Sequence, residues 1–465
     1  MDKKKYVMLV ASAALSVVAA NGQSLIGSWN GKLNVGAAAL NLVFHVGSDN
    51  KVTMDSPDQG AMGIETTTKC LTADSISVEL PNLQAQFSAK LSGDELRGTF
   101  TQMGYSFPLN MKRGEVKLIR PQTPVPPFDY TTEEVSFENS GSDPLSGKQS
   151  EAGGARLSGT LTLPAGFKKG MPVVLMVTGS GQQNRDEELM GHKPFLVIAD
   201  YLARHGIATL RYDDRGTAKS TGDFTKATTY DNMLDAEAGV SYLRKTGKFG
   251  RIGVLGHSEG GSIAFMLAAK GNADFVVALA APALPGDSIL IAQNRYMLQM
   301  AGLDGASLDT YTKALGRILQ NLKSGRKSRF STPEAVVASL TLDLQIPEEL
   351  KQVLVEAYKM ADNAWMKYFL DYNPSMDISK LECPAMMLFA EKDMQVSAAA
   401  NAPVARQLIP EKIRQRSQVK EYPGLNHLFQ PSATGMPMEY GKIETTISEA
   451  VIADIAAWIA GESGK

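Results

Sequence analysis

Ile252-Gly253-Val254-Leu255-Gly256-His257-Ser258-Glu259-Gly260-Gly261-Ser262-Ile263-Ala264-Phe265-Met266-Leu267-Ala268-Ala269 joins a short apolar run to a small-residue helical pattern through G-x-S-x-G. Strand, G-x-S-x-G and helix in that order is the setting of a nucleophile elbow. So sharp a turn crowds the backbone, and residues without a Cβ relieve the crowding. The Ser258 hydroxyl is then left at the carboxyl edge of a sheet. In a chain with 42 Gly the competing account is a chance Gly/Ser turn. The flanking strand and helix argue against chance. Ala218-Lys219-Ser220-Thr221-Gly222 shows the contrast, because it lacks the first glycine and no apolar run directly precedes it.

On both sides of this stretch the pattern alternates between strand and helix. Apolar strands are expected at 157–163, 173–177, 207–212, 276–280, 384–390 and 419–422, and helices at 194–205, 231–243, 398–408 and about 448–460. Continuous apolar runs imply strands buried on both faces, as a parallel sheet requires, and the alternation implies an α/β layer architecture. Residues 284–376 break the alternation with helices only. Leu308, Tyr311, Leu315, Ile318, Leu319 and Leu322 form a helical stripe, with Ser307 as N-cap and Gly325 as terminator. Thr332-Pro333-Glu334 opens a second helix, and a third follows Pro347. Such a block is placed to form a lid over the elbow. Most of its apolar residues serve packing, and its tyrosines, methionines and Trp365 are candidates to line an acyl or leaving-group pocket.

Residues 25–113 read differently. Short, partly alternating runs separated by Gly, Asp, Asn and Ser turns predict a small all-β barrel or meander. Residues 114–130 contain Pro121, Pro124, Pro126 and Pro127 and read as a semi-rigid spacer between domains. The third domain-scale segment, 131–465, carries the α/β pattern. Lys3-Lys4-Lys5 followed by an apolar stretch from Tyr6 to Ala20 reads as a Sec-type signal peptide over 1–22, hence a periplasmic or secreted protein. The apolar stretch is short for a membrane span, so no integral membrane association is expected. A net charge of −2 gives no electrostatic basis for binding nucleic acid. The two cysteines, Cys70 and Cys383, fall in different domains and are expected to be buried free thiols, with a bridge between them as the alternative. No Cys/His spacing calls for a metal.

A serine hydroxyl needs a base within hydrogen-bond reach and the base needs an orienting acid. The chain order in this architecture is Ser, then Asp or Glu, then His. There are 5 His, and only His427 follows Ser258 outside the elbow. The acid should follow the penultimate strand, where Asp393 is favoured over Glu391 because Asp is the better turn residue. Oxyanion donors are expected from the backbone N–H of Glu259 and from the loop Thr178-Gly179-Ser180-Gly181-Gln182, through Ser180 or Gly181. Asp213-Asp214-Arg215-Gly216 reads as a structural turn supporting that loop. Arg185, Glu187 and Trp365 are candidates to face the substrate.

With Thr178–Glu187, Tyr212–Gly216, Gly256–Gly261, Glu391–Val396 and Pro423–Gln430 taken together, residues 135–460 resemble the α/β-hydrolase superfamily and, within it, bacterial EstD-type carboxylesterases with a serine aminopeptidase-like domain. The resemblance implies Ser258, Asp393 and His427 as the triad, a small carboxylic ester of short acyl chain as substrate, and no cofactor. Ala218 and Ala390 stand where such enzymes usually carry glycine, which bears on loop shape. Three alternatives share the fold: a peptidase with Glu259 or Glu187 anchoring a substrate amine, an acyltransferase, and an inert binding protein. The natural ester and the oligomeric state are not encoded in any motif.

Overall fold

The structure is a computed structural model that describes residues 25–463, apart from 36–37, 117, 145 and 324–329. The expected signal segment, 1–22, and the expected terminator Gly325 lie outside the described residues. The chain divides into two compact units, one ending at residue 117 and the other beginning at Leu118.

The first unit is a meander of nine antiparallel strands: β1 (Gly27–Val35), β2 (Ala38–Val46), β3 (Val52–Ser56), β4 (Ala61–Glu65), β5 (Thr67–Leu71), β6 (Ser75–Leu80), β7 (Ala85–Ser92), β8 (Glu95–Gln102) and β9 (Tyr105–Arg113). Their order is β4-β3-β2-β1-β9-β8-β7-β6-β5, so the first and last strands pair in the middle and the sheet is nearly closed. Alternate residues point inward. On β6 and β7 these are Ile76, Val78, Leu80, Ala85, Phe87 and Ala89. They meet a buried Trp29 and a Phe44 ring stacked 4.5 Å from Phe87. Trp29 Nε1 donates to the Leu25 carbonyl at 2.8 Å, which satisfies its one polar group. The barrel or meander is as the sequence predicts. Strands β4 and β5 lacked a readable pattern because neither buries a residue. Cys70 lies on β5 and is exposed, which corrects the expectation of a buried thiol. It and Cys383 are both unbridged.

The second unit holds β10 (Thr131–Asn139), β11 (Ala155–Leu163), β12 (Val173–Val177), α1 (Pro194–Arg204), β13 (Ala208–Tyr212), α2 (Thr229–Thr246), β14 (Ile252–His257), α3 (Glu259–Ala269) and β15 (Phe275–Leu279). A helical insertion follows: α4 (Gly286–Met300), α5 (Gly305–Lys323), α6 (Pro333–Leu340), α7 (Glu348–Ala361), α8 (Ala364–Asp371) and α9 (Ser375–Ile378). The unit closes with β16 (Ala385–Ala390), α10 (Ala398–Leu408), α11 (Glu411–Arg414), β17 (Gln418–Tyr422) and α12 (Glu449–Ser463). Its eight-stranded sheet has the order β10-β11-β13-β12-β14-β15-β16-β17, parallel from β13 to β17.

Every residue of β12 to β16 is buried. Along β12, Val173, Leu175 and Val177 pack in the layer of α2, α3 and α10, whereas Val174 and Met176 pack in the layer of α1 and α12. Period-2 geometry thus feeds two cores from one apolar run. At about 1.5–3 kcal/mol per fully buried aliphatic side chain, these two layers supply the main stabilisation of the sheet that carries the site.

The insertion has its own core, centred on Tyr311, Leu315, Ile318, Leu319 and Leu354. Helix α5 begins at Gly305, so Ser307 sits inside its first turn rather than capping it. Thr332 does cap α6, accepting from the Ala335 amide at 3.3 Å. Helices α4 and α8 fall within the stretch 284–376 expected to be all helical, although the sequence pattern gives neither its own bounds. Arg120 donates to the carbonyls of Met190 and Gly441 at 2.8 and 2.9 Å, and Gln122 bonds the backbone of Thr446 and Ile447. The proline-rich stretch after residue 117 is therefore fastened to the second unit.

Candidate active site

Ser258 stands between β14 and α3 at φ 52°, ψ −117°, a backbone conformation disfavoured for a residue with a Cβ. The strain is held by surroundings that admit no alternative. The Ser258 amide donates to the Leu279 carbonyl at 2.8 Å. A Cβ on Gly256 would lie 2.0 Å from the Gly260 carbonyl oxygen, one on Gly260 2.1 Å from the Val177 oxygen, and one on Gly261 2.3 Å from the Ala281 Cβ. Each glycine of the motif is thus a steric requirement, and the half-buried hydroxyl is displayed at the carboxyl end of a central strand.

His427 follows β17 and Asp393 follows β16. His427 Nδ1 and Asp393 Oδ2 are 2.7 Å apart, and both residues are buried. The other Asp393 oxygen accepts the amides of Gln395 and Val396 at 2.7 and 2.8 Å, which fixes the carboxylate behind the ring. With Nδ1 so engaged, Nε2 is the nitrogen left to exchange a proton. Glu391, the rival acid, instead accepts the Gly424 amide at 2.7 Å. The histidine loop is in direct contact with the elbow, because His257 Nε2 lies 3.0 Å from the His427 carbonyl oxygen and the two rings are 4.7 Å apart. Ser258 Oγ makes no hydrogen bond among the described residues, so the hydroxyl and the imidazole are not hydrogen-bonded to each other.

Oxyanion donors are recognised by amides without internal partners. The Gly179 amide is taken by Glu187 Oε1 at 2.7 Å. Among the described residues those of Ser180, Gly181 and Glu259 donate to nothing. Gly181 has φ +96°, which only glycine adopts without strain. The loop is shaped by Asp214, whose carboxylate accepts from Thr178 Oγ1 at 2.9 Å and the Gln183 amide at 2.9 Å, and burial pushes its pKa well above the usual range. This is the supporting turn expected from the sequence.

Arg185 and Glu187 are turned inward, which corrects the expectation that they face substrate. Arg185 forks onto Asp213 at 2.7 and 3.0 Å and reaches Glu134 at 2.8 Å. Its neighbour Asp186 pairs with Arg211. Glu187 Oε1 also receives His257 Nδ1 at 2.9 Å. Burial disfavours charge on His257, yet the Glu187 carboxylate and the His427 carbonyl outweigh it and hold the imidazole above its ordinary pKa. Trp365 Nε1 donates to Glu259 Oε1 at 2.9 Å, and Thr229 Oγ1 donates to the same oxygen at 2.6 Å. Helix α8 of the insertion is thereby anchored to the residue that follows Ser258.

Residues 153–403 match the model of the X-Pro dipeptidyl-peptidase (S15) family, a segment covering Ser258 and Asp393 and spanning just over half of the 465 residues. The chain belongs to the S15 family. It is accordingly a hydrolase on an α/β-hydrolase sheet. It is 27% identical over 321 residues to Esterase EstD of Thermotoga maritima, covering 68% of each chain. Solved structures similar to it include Est1E of Butyrivibrio proteoclasticus with ferulic acid bound (16% identity, 67% of this chain and 97% of that one, TM-score 0.40). The Pyrococcus furiosus esterase Pf2001 is another (15% identity, 75% of this chain and 99% of that one, TM-score 0.41).

In this S15-family chain the insertion carries an open groove of about 520 Å³ lined by Leu290, Met297, Leu315, Val353, Met360 and Met366. It is apolar, and Ser258 is not among its lining residues. Tyr372 Oη instead binds Asp377 at 3.0 Å and approaches the Ser262 carbonyl, which secures the insertion to α3. The residues that sequence reasoning passed over are His257 as a partner of the histidine loop and Thr229 as a partner of Glu259. The adjacency of His257 to the serine was the one available signal.

Proposed function

We propose that the protein is an exported serine carboxylesterase acting on small esters of short acyl chain. Ser258 Oγ attacks the ester carbonyl carbon while His427 Nε2 takes its proton. The developing oxyanion receives the N–H groups of Glu259 and Ser180, with Gly181 adjacent. Collapse of the tetrahedral intermediate breaks the bond to the alcohol, which leaves with the proton from His427. Water, deprotonated by the same imidazole, then attacks the acyl-enzyme and releases the acid. Asp393 holds the Nδ1–H tautomer throughout.

The observation that carries this reading is the 2.7 Å Asp393–His427 pair on a loop that touches the elbow. Ester rather than peptide cleavage is favoured because the two carboxylates that would anchor a substrate amine are already occupied. Glu187 accepts from Gly179 and His257, and Glu259 from Thr229 and Trp365. Short acyl chains are proposed from the resemblance to EstD-type carboxylesterases, with Trp365, bonded to the residue after Ser258, as the candidate to bound the acyl site. Export rests on the amino-terminal sequence pattern; no described helix is long and apolar enough to cross a membrane.

The deciding experiment compares nitrophenyl acetate and butyrate with aminoacyl and Xaa-Pro anilides, using wild type and Ser258→Ala, alongside fluorophosphonate labelling. Ester turnover and labelling should both fall by at least about 10³-fold in the variant. Faster turnover of anilides would establish the peptidase, better acyl transfer to an alcohol than to water the acyltransferase, and labelling that survives the substitution would remove Ser258 from the chemistry. Amino-terminal sequencing of protein from the extracytoplasmic fraction checks for processing near residue 22.

A further inference from the structure

We propose that His257 is an imidazolium that positions the histidine loop, an inference that rests on the reading of His427 as the base. The ring nitrogens of His257 both face acceptors. Nδ1 lies 2.9 Å from Glu187 Oε1, and Nε2 lies 3.0 Å from the His427 carbonyl oxygen. A carbonyl cannot donate, and Glu187 Oε1 already accepts the Gly179 amide at 2.7 Å, as a carboxylate does. A neutral imidazole carries one N–H, so it would leave one of these buried contacts lone pair against lone pair. Between a carboxyl and an imidazole, the proton belongs on the imidazole by intrinsic basicity.

His192 shows the contrary case in the same unit. Its Nδ1 faces the Thr446 hydroxyl at 2.9 Å, which can donate, and its Nε2 faces the Tyr440 carbonyl at 3.0 Å. That pairing is satisfied by the neutral ring, and burial lowers the His192 pKa to about 4. The two buried histidines differ in the donor character of one neighbour, and their protonation follows it.

Two consequences follow for the site. Glu187 and His257 connect the oxyanion loop at Gly179, the elbow, and the backbone of His427, so one ion pair sets three segments that are distant in sequence. The imidazolium ring is also 4.7 Å from the His427 ring. This ring contact and the bond to the His427 carbonyl together fix the histidine loop against the elbow. The titratable groups facing His257 are Glu187, His427 and Asp393; the two carboxylates support its charge.

Nitrogen-15 NMR of histidine-labelled protein tests the charge directly, with His257→Gln supplying the assignment. Two N–H protons on His257 should be present at pH values above the ordinary histidine pKa of about 6.5. A single-proton tautomer at neutral pH overturns the proposal, and this readout is independent of whether Ser258 is the nucleophile. Glu187→Gln keeps the oxygen that accepts from Gly179 but removes the charge that holds the proton. Its His257 should then carry a single N–H proton at neutral pH, with kcat falling more than KM changes. A doubly protonated His257 in a folded Glu187→Gln enzyme refutes the role of the Glu187 charge.

Discussion

Replacing Asp393 by Asn separates orientation from chemistry at this site. In the native turn one carboxylate oxygen accepts the amides of Gln395 and Val396 at 2.7 and 2.8 Å, and the other faces His427 Nδ1 at 2.7 Å. Asparagine can keep its carbonyl oxygen on the two amides, so the turn survives. Its NH₂ then points at His427 Nδ1 and forces that nitrogen to accept. The proton moves to Nε2, the atom required to take the serine proton. The wrong tautomer should lower kcat by about 10⁴-fold, or about 5.4 kcal/mol of activation free energy. Because two of the three carboxylate bonds persist and a third re-forms with reversed polarity, stability should fall by less than about 2 kcal/mol. The assay is kcat/KM for nitrophenyl acetate near about pH 8, where a free imidazole is neutral, paired with a thermal melt. Glu391→Gln is the control, since that carboxylate serves the Gly424 amide. An Asp393→Asn enzyme within tenfold of wild type, or a Glu391→Gln loss as deep as the one expected at 393, would refute the assignment of the acid.

Further outcomes are expected. His192 has a folded pKa of about 4 against about 6.5 unfolded, so the unfolded chain binds the proton first as pH falls. Stability should therefore be intact above pH 6.5 and decline by about 2–3 kcal/mol as pH drops toward 4; melts of wild type and His192→Asn across that window should converge at low pH. Gly260→Ala places a Cβ 2.1 Å from the Val177 carbonyl oxygen, which is backbone and cannot swing aside. A loss of about 3 kcal/mol or more with abolished fluorophosphonate labelling is expected, and a folded, active variant would contradict the packing described. Trp365→Phe removes the donor to Glu259 Oε1 while keeping the ring near Phe369. It should relax acyl selectivity toward longer esters with kcat for acetate within about threefold, since it deletes one hydrogen bond outside the triad; unchanged chain-length preference would show that α8 does not bound the acyl site.

Much of the fold is readable along the chain because the demands are local. The elbow at Ser258 needs an apolar strand, glycines and a helix within eighteen contiguous residues, and steric crowding alone accounts for that composition. The parallel strands are readable because burial on both faces leaves unbroken apolar runs. Strands β4 and β5 were not, since residues that bury nothing carry no period. The order rule for Ser, acid and His, applied to a chain with 5 His, narrowed the candidate base to His427.

The sequence by itself determined the two architectures, the position of the bend that bears Ser258, and the short list of side chains able to work with it. Tertiary structure alone decided which polar residues look inward. Arg185 ended on Asp213 and Glu134, Glu187 on Gly179 and His257, and His257 on a carbonyl 170 residues away. Periodicity reports which side of an element is buried, because burial acts on each residue in turn. A hydrogen bond between residues remote in sequence depends on where two elements meet, and no local pattern records that meeting.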